Sequence, residues 1–184
     1  ACLVRATHLS NSRSSNCSIK SLPACTIHGL CSIETYKAMR TVFEAFRTTV
    51  ERYPDKPFLC LPARQGRSYH PAGAEFTYGE INTRAGELVS VYERAGYGHG
   101  HRVALLLENR PEFFYHFLAL NSLGASVVPI NPDYVHGEVA YQLEHSDAAL
   151  VIAVSSRVSD VRRAGEATIQ GVPVVDAELI SEGL

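Results

Sequence analysis

Between residues 33 and 53, Tyr36, Met39, Phe43, Phe46, Val50 and Tyr53 step by three or four positions and form one apolar stripe. That spacing predicts an amphipathic helix. Pro54 ends it, because proline brings no amide to the ladder and clashes with the preceding turn. The run "PFLCLPA" predicts a short strand, and within "RQGRSYHPAGAEFTY" the pairs "SY" and "EFTY" predict the two arms of a hairpin. Thr77-Tyr78-Gly79-Glu80 has the capping-box pattern, in which a hydroxyl takes a first-turn amide and a carboxylate three residues on reaches back. The helix it opens carries Ile81, Ala85, Leu88, Tyr92 and Ala95 at helical spacing and ends in "GYGHG", whose glycines suit a left-handed cap.

Beyond residue 101 the period changes. "RVALLL" is a continuous apolar run, as expected of a strand buried on both faces of a parallel sheet. "ENRPEFFYHFLALNSLG" predicts a helix with Pro111 in its first turn and Gly124 just past its end. "ASVVPI" predicts a second buried strand, "HGEVAYQLEHS" a short helix, "ALVIAV" a third strand, "SRVSDVRRAGEAT" a helix and "VPVVD" a fourth strand. Strands alternating with helices give the fold class as α/β, a mainly parallel sheet built from right-handed βαβ units.

Composition narrows the setting. A chain of 184 residues, 46% hydrophobic and 20% charged, can bury one good core but not two. The formal charge of −2 hides an asymmetry, since Arg5, Arg13 and Lys20 are the only charged residues up to residue 33 and all 19 acidic residues follow. Nothing clusters Lys and Arg as nucleic-acid binding requires, and no apolar run approaches the roughly 20 residues of a membrane span. Neither kind of partner is expected. Cys2, Cys17, Cys25 and Cys31 lie in the Ser-rich front segment and Cys60 stands alone, with no Cys-x-x-Cys for zinc. This pattern fits a reducing compartment better than a disulfide framework. Residues 1–38 read as a leader, either transit-like or upstream of the true start, because the single methionine is Met39. Residues 39–184 are then the folded part, cytoplasmic in the second case and organellar in the first.

Motifs for chemistry are few. Gly96-Tyr97-Gly98-His99-Gly100 follows a helix and opens a strand, the reverse of a phosphate loop, so it reads as a helix cap. His99 and His101 lack a third ligand, and no metal site is expected; His116, within "FFYHFL", reads as an edge-of-core residue. Glu108, Asn109 and Arg110 fall at the C-terminal end of a strand, where open α/β sheets hold ligands, although capping and a solvated turn are the favoured account of them. These patterns stop at "parallel α/β domain".

From Met39 to Asp176 the chain resembles the N-terminal part of the AMP-forming, acyl-activating ligase superfamily: acyl-CoA synthetases, adenylation domains and luciferases. Phe76, Thr77, Tyr78, Glu80 and Ile81 match its Leu-Ser/Thr-Tyr-x-Glu-Leu motif. Gly124, Ala125, Val128, Pro129, Ile130, Asn131, Pro132 and Tyr134 match its Lys-Ala-Gly-Ala-x-x-Val-Pro-Leu/Ile-Asn/Asp-Pro-x-Tyr motif. Ser122-Leu123 replaces the usual Lys-Ala, and Asn131 tilts the resemblance to the acyl-CoA ligase branch, near the crotonobetaine/carnitine-CoA ligases. The resemblance implies an incomplete N-terminal portion of the large domain. It also implies activation of a carboxylic acid by ATP and Mg as acyl-AMP, then transfer to CoA. The motif residues are implied to be scaffold, and no catalytic residue is implied within the segment. Arg157, Arg162 and Arg163 lie in a region where some relatives touch CoA phosphate, but they match no motif position and a solvated helix face is the favoured role for them. The phosphate-holding loop ending in Pro-Lys-Gly does not occur here, so the segment alone is expected to be inactive and to pack against the remainder of a ligase. A non-catalytic α/β binding module, or an adenylation domain loading a carrier protein, are the alternatives.

Overall fold

Helix α1, Val42–Arg52, begins at Thr41, whose hydroxyl accepts the Glu44 amide at 3.1 Å. The computed structural model describes residues 41–180 and residue 184, so the predicted leader and the stripe positions Tyr36 and Met39 lie outside the described residues. Phe43, Phe46 and Val50 face inward as the stripe requires. Tyr53 does not: it lies past the helix end and is 54% exposed.

Strands β1 (Pro57–Leu61) and β2 (Ala74–Thr77) form an antiparallel pair. This corrects the predicted hairpin, in which Ser68-Tyr69 was the first arm. That dipeptide lies instead in the connecting loop, where Arg67 donates to the carbonyls of Tyr69 and His70 and removes them from any strand ladder. The longer apolar run at Pro57–Leu61 takes the partner role. An irregular register between Pro57 and Leu59 surrounds Phe58, whose ring contacts Phe46, Tyr78 and Phe114 at centroid distances of 5.4, 5.0 and 5.7 Å.

The capping box forms as predicted at the start of α2, Tyr78–Arg94: Glu80 donates its amide to Thr77 Oγ1 at 3.2 Å, and its carboxylate accepts the Thr77 amide at 2.8 Å. Its last turn closes when Tyr97 donates to the Tyr92 carbonyl at 2.9 Å across Gly96, which holds a φ of +81°. "GYGHG" is thus a cap.

The rest is a four-stranded parallel sheet, β3 (Arg102–Leu106), β4 (Ser126–Pro129), β5 (Leu150–Ala153) and β6 (Val174–Asp176), in the order β4-β3-β5-β6. The connecting helices are α3 (Pro111–Ser122), α4 (His136–Ser146) and α5 (Val158–Glu166), the last entered through a 3-10 turn at Ser155–Arg157. Right-handed crossovers put α3 on one face and α4 with α5 on the other. The packing agrees, since α2 lies on α3 and α4 on α5. The central strands β3 and β5 are buried along Val103–Leu106 and Leu150–Ala153. "ASVVPI" departs from expectation: β4 is an edge strand, only half-buried, which is why Pro129 is tolerated without an amide to donate.

Helix α3 is apolar nearly all round because it lies between the one main core and a small satellite cluster. Ala119 and Leu120 join the sheet core, while Leu118 packs with Phe46, Ile81 and Ala85 beneath the hairpin and α1. A Leu, Ile or Phe among them contributes about 1.5–3 kcal/mol when fully buried.

Candidate functional site

The C-terminal ends of β3 and β4 open into a cleft of about 810 Å³, roofed by β1 and the loop after it. Its floor is apolar (Leu105, Leu107, Phe113 and Ile130) and its rim carries Arg64, Arg67, Glu108, Asn109, Arg110 and Asn131. Open α/β sheets bind ligands at this end, because strand termini and loop amides converge there. The Glu108-Asn109-Arg110 turn singled out from sequence therefore lies on the cleft. Glu108 holds a φ of +57°, a left-handed conformation that costs a non-glycine residue about 1–2 kcal/mol.

Arg110 organises this rim. Its guanidinium meets Glu108 at 3.4 Å, Glu178 at 3.8 Å and Ser68 Oγ at 3.3 Å, and lies over the Tyr69 ring at 4.7 Å. Arg67 takes the same ring at 5.0 Å, and the Tyr69 hydroxyl donates to the Asn109 carbonyl at 3.2 Å. One aromatic ring shared by two guanidiniums thus ties the roof loop to the β3–α3 turn. Sequence reasoning missed Tyr69 and Arg67, since a cation–π contact spanning some forty residues leaves no local pattern.

The Gly124–Tyr134 motif borders the same cleft. Gly124 holds a φ of +71° at the end of α3, where Ala125 donates back to the Leu120 carbonyl at 3.0 Å. Pro129 ends β4. Asn131 Oδ1 accepts the Asp133 amide at 3.0 Å and the Asn131 carbonyl accepts the Tyr134 amide at 3.1 Å, so Asn131-Pro132 is the start of a tight turn. Arg157 locks that turn by donating to the carbonyls of Pro132 and Tyr134, and it is itself held by Asp160 at 3.1 Å. Burial alone would raise the Asp160 carboxyl, but hydrogen bonds from Arg157 and Arg163, with their charges, outweigh it and hold the group below its ordinary value. Of the two arginines singled out from sequence, Arg157 is therefore occupied, whereas Arg162 stands exposed on α5. Thr77 and Glu80 lie at the helix cap, and Tyr78 packs against Phe46 at 5.8 Å.

His99 packs on Gly124, His101 accepts the Gly98 amide at 3.2 Å, and no group of three His, Cys, Asp or Glu residues among those described is placed to hold a metal ion. His116, expected at the edge of the core, is 2% exposed and sits 2.7 Å from the Tyr92 hydroxyl. Cys60 is exposed, and the Glu75 carboxylate that accepts its S–H raises the thiol above its ordinary value.

Residues 46–183 match the family described as AMP-binding enzyme. The chain belongs to that family. A crotonobetaine/carnitine–CoA ligase of Proteus mirabilis is 32% identical over 55% of the chain and 19% of its own length. A 4-coumarate–CoA ligase of Humulus lupulus is 31% identical over 70% of the chain and 22% of its own length. Tyrocidine synthase 3 of Brevibacillus parabrevis is 29% identical over 65% of the chain and 2% of its own length. This AMP-binding chain therefore spans about a fifth of the CoA ligases it matches. Among solved structures, the N-terminal domain of FACL13 from Mycobacterium tuberculosis superposes with a TM-score of 0.66 and 26% identity, covering 78% of the chain and 36% of that domain. The N-terminal subdomain of NpsA from Klebsiella oxytoca gives 0.63 and 22%, covering 77% and 31%. The fold is that of the N-terminal domains of adenylate-forming ligases.

Proposed function

We propose that this AMP-binding chain is the front part of an ATP-dependent ligase that activates a carboxylic acid as acyl-AMP and passes the acyl group to CoA. The observation that carries the reading is the family match across residues 46–183, supported by the CoA ligases among its relatives. The part played by these residues is to build one wall: α2, α3 and the sheet hold the cleft floor, and the Asn131–Tyr134 turn, locked by Arg157, shapes its lip. Arg157 acts as a positioning residue for that turn. Arg162, whose guanidinium has no partner among the described residues, is the one free to meet a phosphate of CoA. No group of three ligating side chains among the described residues gathers to hold the magnesium that accompanies ATP. The apolar faces of the sheet edge and α4 pack against the remainder of the ligase, and the chain by itself turns over nothing.

Loading of a carrier protein is the second reading, favoured by the tyrocidine synthase likeness. The product of the full reading frame, given ATP, a panel of carboxylic acids and either free CoA or a carrier protein bearing phosphopantetheine, distinguishes the two. Thioester formed on free CoA supports the first reading. Thioester formed only on the carrier replaces it with the second.

A further inference from the structure

A second cavity, of about 440 Å³, lies between α2, α3 and the segment Ala177–Ile180, on the other side of the Arg110–Glu178 ion pair from the cleft. Leu88, Val91, Phe76 and Ile180 give it an apolar lining, and its volume is in the range of small-molecule sites. Four charged side chains reach it: Arg84, Glu87, Glu112 and Glu178. Arg84 is paired with Glu87 at 3.5 Å, and Glu178 with Arg110 at 3.8 Å. Among the described residues Glu112 has no such partner, and its Oε2 is buried without a hydrogen bond from any of them. A buried acceptor left unpaired is costly, and native structures rarely keep one without a reason. Glu112 stands in the first turn of α3, where the helix N-terminus favours negative charge.

One turn along the same helix, His116 also lines the cavity, with its ring fixed by the Tyr92 hydroxyl. Burial holds its imidazole down to about 3, so at neutral pH it is uncharged and does not repel a cation. The cavity therefore combines an apolar body, one uncompensated carboxylate and a neutral, oriented imidazole.

We propose that this cavity binds a small organic ammonium ion, its apolar part against Leu88, Val91 and Ile180 and its nitrogen donating to Glu112. The charge of the ligand replaces the donor that Glu112 lacks. A neutral molecule of the same shape fills the apolar part but leaves the carboxylate unanswered.

The test uses the product of the full reading frame containing this sequence, at neutral pH, and two probes of nearly equal shape, 2-phenylethylammonium and 2-phenylethanol, in a titration followed by NMR. The expected result is a Kd of about 1 mM or tighter for the amine, at least about tenfold below that of the alcohol. Amide shifts should centre on residues 84–91, 112–116 and 177–180. Glu112→Gln should bring the ratio of the two affinities close to one, with its thermal unfolding midpoint unchanged or higher. Equal binding of amine and alcohol to the parent chain overturns the proposal, as do shifts mapping elsewhere, no amine binding at all, or a folded Glu112→Gln variant that keeps the preference. The comparison on the parent chain decides the matter even if that variant fails to fold. Absence of binding would leave the cavity as a socket for another part of the same protein.

Discussion

Tyr92 and His116 form the most buried polar contact among the described residues, and each depends on the other. Burial pushes the Tyr92 hydroxyl far above its ordinary value and holds the His116 imidazole at about 3, so both are uncharged at neutral pH. A histidine with a folded value below its unfolded one, about 6.5, stabilises nothing extra above that value and costs stability below it, because the unfolded chain takes the proton first. Stability should therefore fall as pH drops from about 6.5 towards 3, by up to about 1.4 kcal/mol per pH unit. Urea unfolding at pH 7.5, 6 and 5 measures this slope. In His116→Gln the slope over that window should shrink, at the expense of lower stability at pH 7.5. A slope unchanged by the substitution would place the acid sensitivity elsewhere.

At the scale of elements, end signals govern. The two glycines with opposite expectations are Gly124 and Gly86. Gly124 ends α3 at a φ of +71°, with His99 in ordinary contact with a would-be Cβ (ring Cδ2 at 3.4 Å, Cβ at 3.5 Å, Cα at 3.7 Å), so Gly124→Ala should cost about 1–2 kcal/mol, chiefly through backbone strain. Gly86 lies inside α2 with open space around it, so Gly86→Ala should add about 0.5–1 kcal/mol. Urea midpoints of the two variants should move in opposite directions. End signals were also what the sequence made legible: the Thr77–Glu80 box, Pro111 at the head of α3 and the glycines after α2 and α3 act within five residues, and all form. The hairpin was misread because its pairing joins residues across a loop, where Arg67 and Tyr69 make side-chain contacts with no local period. For the same reason the cap that α3 provides to α1, Asn121 Oδ1 accepting the Phe43 amide at 2.9 Å, has no sequence signature. The half-exposed state of β4 was hidden because strand order, and not composition, makes it an edge.

For the whole molecule, the strand order β4-β3-β5-β6 reverses direction between β3 and β5, and the cleft opens at the same end of the sheet. Its residues could be listed from sequence only in part. Glu108, Asn109, Arg110 and Asn131 stand out at strand ends, whereas Arg64, Arg67 and Tyr69 come from a loop that shows no pattern until it folds over them. No helix among the described residues is long and apolar enough to cross a membrane. The account rests on the chain being part of a machine that joins a carboxylate to AMP. The most direct measurement is acid-dependent exchange of labelled pyrophosphate into ATP by the product of the full reading frame containing this sequence. The account predicts exchange that appears only when a suitable carboxylic acid is added and that the isolated 184-residue chain does not support. A folded full-length product that exchanges no pyrophosphate with any acid of a broad panel would contradict it.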